Sequence, residues 1–135
     1  MNKKMNITFI SDTHNRHKEL TQDLPGGDMI IHAGDISGRG TLEEIRSFLL
    51  WFEKLRHSNQ EEFAIRIPEN VIYLQDEMVE VGGLKIYGSP WQPRFYDWAF
   101  NVDRGEAIAK KWEPIPEGLD ILITHGPVFG ILDDT

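Results

Sequence analysis

Short apolar runs of strand length punctuate the chain, with one longer amphipathic stretch among them. Residues 6–10, 29–33, 71–74, 78–81, 84–87 and 120–124 are rich in Ile, Val, Leu, Phe and Tyr. Each is bounded by polar, Gly or Pro positions, so each predicts a β-strand. Gly82-Gly83 between two of them predicts a hairpin turn. From Thr41 to Arg56 the period changes. Ile45, Phe48, Leu49, Phe52 and Leu55 recur at helical spacing, and Glu43, Arg46, Glu53 and Lys54 lie elsewhere. Thr41 and Glu44 form a Thr-x-x-Glu capping box at its start. A second helix is expected over Asp103 to Trp112. Asp103 and Glu106 take capping positions there, Glu106 and Lys110 pair at i,i+4, and Pro114 and Pro116 end the helix. Asn15 to Gln22 reads as a short helix or irregular loop. Pro25-Gly26-Gly27 is a turn, and Gly88 to Pro93 is a rigid loop.

Two apolar runs with a crossover between them suggest a parallel βαβ unit, and the Gly-Gly hairpin adds antiparallel pairing. The fold class is therefore α/β with a mixed sheet, in one domain covering residues 1–135.

The ends of three runs carry the chemistry. Ile7–Ile10 is followed by Ser11-Asp12-Thr13-His14, Met29–Ala33 by Gly34-Asp35, and Ile121–Thr124 by His125-Gly126-Pro127. In open α/β sheets, ligands bind beyond the carboxyl ends of strands. Singly, each group reads as a turn residue, since Ser, Asp, Thr and Asn are common in turns. Together, Asp12, His14, Asp35 and His125 read as converging metal ligands. Mixed carboxylate and imidazole donors suit Mn, Fe or Zn better than Ca. His32 reads as a packed histidine, and His17 and His57 as solvated ones. Trp91, Phe95, Tyr96, Trp98 and Phe100 read as a satellite hydrophobic cluster rather than a ring-binding wall.

Composition narrows the partners. Lys+Arg number 14 and Asp+Glu 22, a net charge of −8. The chain therefore lacks the footprint of a general nucleic-acid binder. No run is long enough to span a membrane, and the basic start, residues 1–4, precedes too short an apolar run for a signal peptide. The sequon Asn6-Ile7-Thr8 falls inside an expected strand and is discounted. Cysteine is absent, which excludes disulfides and thiolate metal sites and fits a cytoplasmic location.

Ser-Asp-Thr-His at 11–14, His-Ala-Gly-Asp at 32–35 and Thr-His-Gly-Pro at 124–127 resemble the motifs of calcineurin-like metallophosphoesterases. Asn70–Leu74, Ile86–Pro93 and Ile121–Pro127 are similar to one subgroup: small metallophosphoesterase-domain proteins related to class III cyclic-nucleotide phosphodiesterases. The resemblance implies a four-layer α/β/β/α sandwich, of which this chain holds an incomplete part. It implies two divalent metal ions: Asp12 and His14 would hold the first, Asp35 would bridge both, and His125 would hold the second. It implies hydrolysis of a phosphodiester or phosphomonoester, such as a nucleotide, by a metal-activated water.

Two motifs expected from the resemblance are missing from the sequence. Gly-Asn-His-Asp/Glu should follow the Thr41–Arg56 helix, and Gly-His-x-His should stand near the C-terminus. The first metal position thus keeps Asp12, His14 and Asp35, and the second only Asp35 and His125, so one ion is the better furnished. The apolar Val128–Leu132 has nothing after it to pack on, so the sequence reads as part of a longer protein. The alternative is a shortened, catalytically impaired relative that binds a metal or nucleotide and acts by interaction.

Overall fold

The computed structural model describes residues 4–55 and 70–127, a mixed α/β chain whose contacts separate into two units, Met1–Tyr73 and Leu74–Thr135.

In the first unit, β1 (Ile7–Ile10) and β2 (Met29–His32) pair in parallel, with Ile7 opposite Met29 and Ile10 opposite His32. The crossover carries a single 3₁₀ turn, His17–Leu20, in place of an α-helix. It re-enters through Pro25-Gly26-Gly27. A Cβ at Gly27 would stand 2.8 Å from the Asn6 carbonyl oxygen, so glycine is what lets the turn close against β1. Thr8 Oγ1 donates to the Gly26 carbonyl at 2.6 Å.

Helix α1 (Leu42–Lys54) begins as its sequence predicts. Thr41 Oγ1 accepts from the Glu44 amide, and the Glu44 carboxylate accepts from the Thr41 amide. The Arg39 amide also donates to that carboxylate at 2.8 Å, and this bond above all holds the Glu44 carboxyl below its ordinary range. Phe48 and Trp51 are the residues the helix buries most completely. Trp51 falls outside the helical face expected from periodicity. It is buried because its indole N–H donates to Thr21 Oγ1 at 2.9 Å, which satisfies the one polar group of the ring.

His17 also departs from expectation. It is 0% exposed, not solvated. Its ring meets Phe48 edge-on at 5.6 Å and lies 5.2 Å from Trp51. The polar residues around it in sequence face outward while this one turns under α1. Nε2 meets Ser47 Oγ at 3.2 Å, and Nδ1 has no hydrogen-bond partner among the described residues. An imidazolium needs acceptors for both N–H groups, so burial favours the neutral ring and lowers its pKa, with Lys18 adding repulsion. The unfolded chain then takes up a proton near pH 6.5 while the folded one does not. Stability is expected to be full above that pH and to fall as pH drops through it toward the lower folded value. Urea midpoints between pH 8 and 5 check this; in His17→Phe the corresponding part of the slope should disappear.

In the second unit, β3 (Glu77–Val81) and β4 (Leu84–Ser89) form the expected hairpin. Val81 stands opposite Leu84, and Gly82 and Gly83 have φ of 60° and 81°. β7 (Ile121–Thr124) adds to β4 in parallel, giving the order β3-β4-β7. Ile86 and Tyr87 of β4 are buried, and burial raises the Tyr87 phenol above its ordinary pKa, with Asp76 adding to the shift. The six residues from Gly88 to Pro93 are not all loop: Gly88 and Ser89 complete β4, and β5 (Gln92–Pro93) pairs with β6 (Asn101–Val102).

Helix α2 (Glu106–Trp112) is shorter than expected and lacks the anticipated side-chain cap. The Asp103 carboxylate instead takes Arg94 Nε at 2.7 Å, and Gly105, at φ 88°, is the cap. The Glu106–Lys110 pair forms at 2.9 Å.

Residues 71–74 do not form the expected strand. They take no strand conformation, and Ile72 and Tyr73 are exposed. Leu74 has another role: a Cβ placed on Gly88 would stand 2.5 Å from Leu74 Cβ and 3.4 Å from its carbonyl oxygen. Gly88→Ala is therefore expected to destabilise by ~1–3 kcal/mol, the usual cost of overpacking. A shift in urea midpoint measures it.

Trp91, Phe95, Tyr96, Trp98 and Phe100 are not a buried satellite cluster. Phe95 meets Tyr96 and Trp98 edge-on, yet Tyr96 is 74% exposed and the other two are more than half exposed. The loop is held by Asn101, whose side chain bonds the Phe95 amide and the Phe95 and Tyr96 carbonyls. With the polar bonds met by Asn101, the rings are left on the surface. Among the described residues no helix is long and apolar enough to cross a membrane.

Candidate metal centre

The parallel pairing of β1 with β2 continues past the strand ends and so fixes the loops that follow. The Ala33 amide donates to the Ile10 carbonyl, and the Asp12 amide to the Gly34 carbonyl, both at 2.9 Å. The His14 amide donates to the Asp35 carbonyl at 3.0 Å, and the Asn15 amide to Ile36 at 3.1 Å. The two loops are thus laced by backbone bonds.

That lacing requires unusual backbone. Asp12, His14, Asn15 and Asp35 have φ of 54°, 40°, 63° and 57°, and Gly34 has φ 114°. Asp, Asn and His are the non-glycine residues most often found in this left-handed region. The cost is of order 1 kcal/mol per residue and persists only where the surroundings enforce it. These residues do stand in turns, and the turns place their side chains together.

The result is a compact group of donors. His14 Nε2 lies 3.7 Å from Asp12 Oδ1 and 3.8 Å from Asp35 Oδ2. One ligand atom from each of Asp12, His14 and Asp35 lies within 4.8 Å of the others. Donors at about 2.0–2.2 Å from a shared cation stand roughly 3–4 Å apart, so small side-chain shifts suffice for them to share one. Two carboxylates and one imidazole also form the mixed oxygen and nitrogen set of Mn, Fe and Zn sites. All three side chains are partly exposed, which leaves a face open to solvent. The Ser11 hydroxyl donates to Asp12 Oδ2.

His125 directly follows β7 in the second unit, half-buried. Thr124 Oγ1 donates to the Gly126 carbonyl at 3.1 Å and shapes the turn on which His125 stands. The segment expected to carry Gly-Asn-His, after Arg56, and the apolar Val128–Leu132 lie outside the described residues, as does His57.

Thr13 and His32 meet beside these donors. Thr13, between two donors, is 4% exposed, and its hydroxyl meets His32 Nε2 at 3.0 Å. His32 was expected to be packed, and it is: its ring meets Phe48 at 4.9 Å and Phe52 at 6.4 Å, both edge-on. Its position three residues before Asp35 was the available signal of a link to the site.

The carboxyl ends of a parallel strand pair thus gather two Asp and a His that could hold a metal ion. Residues 5–134 match the calcineurin-like phosphoesterase family model, and the chain belongs to that family. Its family is one of phosphoester hydrolases that use divalent metals. It is 41% identical to metallophosphoesterase domain-containing protein 1 of Homo sapiens, over 92% of this chain and 49% of that protein. The Mus musculus protein of the same name matches equally. A UPF0046 protein of Caenorhabditis elegans is 31% identical over 90% of this chain and 41% of its own length. The chain spans about half the length of the curated relatives it matches. The match to the human protein extends over 161 aligned residues, more than the 135 of this chain, so that relative carries residues within the span that have no counterpart here.

Proposed function

We propose that Asp12, His14 and Asp35 form the first position of a divalent-metal site in a phosphoesterase. His125, in the second unit, is a candidate donor by its sequence motif alone. The observation that carries this reading is the gathering of three donors at two adjacent parallel strand ends. A divalent cation at such a site supplies Lewis-acid polarisation of a phosphoryl oxygen and a lowered pKa for water. The chain's residues supply the rest. The Asp12 and Asp35 carboxylates provide the negative charge that retains a cation, and the backbone lacing holds the loops that carry them.

The substrate class is a small phosphodiester or phosphomonoester, a nucleotide among them, in keeping with an acidic chain that has no general affinity for nucleic acid or membrane. Mn²⁺ is the metal we favour, and the cytoplasm the compartment. The test is hydrolysis of a chromogenic bis-aryl phosphate with added Mn²⁺, comparing the parent with His14→Ala. Loss of turnover in the variant supports the assignment; equal rates would sink it.

The absence of a Gly-Asn-His between the α1 helix and residue 70, with the residues of the human relative that have no counterpart within the span, favours a second reading. In it the chain binds a metal or nucleotide and acts by interaction without turnover. Calorimetry with Mn²⁺ and nucleoside monophosphates separates the two: binding without hydrolysis supports the second, and full turnover by these 135 residues excludes it.

A further inference from the structure

We propose that His32 is a positioning residue that clamps the two donor-bearing loops to each other through its two ring nitrogens. The Gly34 amide donates to His32 Nδ1 at 3.1 Å. Nδ1 is therefore the acceptor, and the ring proton resides on Nε2. Nε2 in turn donates to Thr13 Oγ1 at 3.0 Å. One nitrogen thus holds the turn that presents Asp35, and the other holds the residue between Asp12 and His14.

Three features make this more than a local contact. The loops it joins contain four non-glycine residues at positive φ, a conformation that needs external support. Thr13 is buried, so its hydroxyl bond is shielded from exchange with water. The imidazole is itself fixed by edge contacts with Phe48 and Phe52 of α1, so the helix sets the ring plane and the ring sets the loops. Asn or Gln at this position would lack the rigid ring that places both polar atoms while packing on those two aromatics.

The clamp is defined by the loops alone; its consequence for metal affinity rests on the metal reading above. Both are tested with the full chain. Thr13→Val removes the Nε2 contact at nearly constant volume, Thr13→Ser restores the hydroxyl, and His32→Phe keeps the aromatic packing while losing both bonds. In metal-free protein, amide hydrogen exchange at Asp12 and His14 should accelerate in Thr13→Val and His32→Phe but not in Thr13→Ser. Exchange within α1 should stay at the parent rate in Thr13→Val. Calorimetric Mn²⁺ affinity should fall about 10–100-fold in Thr13→Val and recover in Thr13→Ser, the usual scale for loss of an outer partner of a metal ligand.

Parent-like exchange at Asp12 and His14 in Thr13→Val would overturn the clamp, and parent-like Mn²⁺ affinity would overturn its role in the site. Should the parent take up no Mn²⁺, the metal reading falls, and the exchange comparison still decides the clamp. Should His32→Phe fail to fold, Thr13→Val and Thr13→Ser carry the test.

Discussion

Asp35→Asn is expected to lower the affinity of the chain for Mn²⁺ by more than ~100-fold, because losing even an outer partner of a ligand costs about 10–100-fold and Asp35 is proposed as a donor itself. The reasoning depends on the choice of substitution. Asparagine tolerates the left-handed backbone that Asp35 adopts at φ 57°, so the loop should survive. Its main-chain carbonyl still accepts from the His14 amide. What changes is the charge: one of two carboxylates near His14 Nε2 becomes neutral. A cation at this position is held chiefly by that pair of charges, and solvent on the open face screens them only in part. Circular dichroism should be unchanged while calorimetric binding collapses. Parent-like affinity in a folded Asp35→Asn variant would remove Asp35 from the donor set.

The largest loss of stability is expected from Phe48→Ala, at ~3–5 kcal/mol. Phe48 is the centre of the aromatic group under α1, with ring centroids 5.6 Å from His17, 4.9 Å from His32, 5.8 Å from Trp51 and 5.2 Å from Phe52. Alanine there leaves a cavity among groups that are already anchored: Trp51 to Thr21, His17 to Ser47, and His32 to Thr13 and Gly34. Anchored neighbours collapse little into a cavity, so the cost lies toward the upper end of the range. Against a typical total of about 5–15 kcal/mol, such a loss is large. Urea denaturation followed by tryptophan fluorescence measures it. Phe48→Leu should lose distinctly less, and a loss under ~1 kcal/mol for Phe48→Ala would place the core of this unit elsewhere.

The two predictions are connected. The proposed metal donors stand on the loops that follow β1 and β2, and the aromatic group that supports His32 stands on α1. A change in the core is therefore expected to reach the donors through one imidazole. Phe48→Leu offers a milder readout of that connection: modest destabilisation accompanied by weaker Mn²⁺ binding.

Much of this organisation was legible along the chain. Thr41 and Glu44 announced the start of α1, since a capping box is a local arrangement within four residues. Gly82-Gly83 announced the β3–β4 hairpin, because that turn needs positive φ at both positions. Asp12, His14 and Asp35 were marked by their place after apolar runs, and the structure brings them within 4.8 Å.

Other elements were misread for physical reasons. Residues 71–74 have strand composition but take no strand conformation, since β-propensity is set by context more than by composition. Asp103 has the chemistry of a cap, but Arg94 gives it a stronger partner. Phe9 lies in the apolar run of β1 and is nevertheless 61% exposed.

The sequence by itself determined where the donors fall, how α1 begins and where the hairpin turns. These depend on neighbours a few positions away, whose spacing the period of a helix or strand translates directly into space. Only the tertiary structure decided that His17 is buried and Tyr96 is not, that Trp51 joins the core, and that His32 links Thr13 to Gly34. Each of those depends on which distant surface meets the residue; for His17, Trp51 and His32 it is the packing of α1 on the 3₁₀ turn and on the end of β2. The Asp-x-His at the end of β1 belongs to both levels: its position is written in the chain, and its grouping with Asp35 exists only because the two strands pair in parallel and in register.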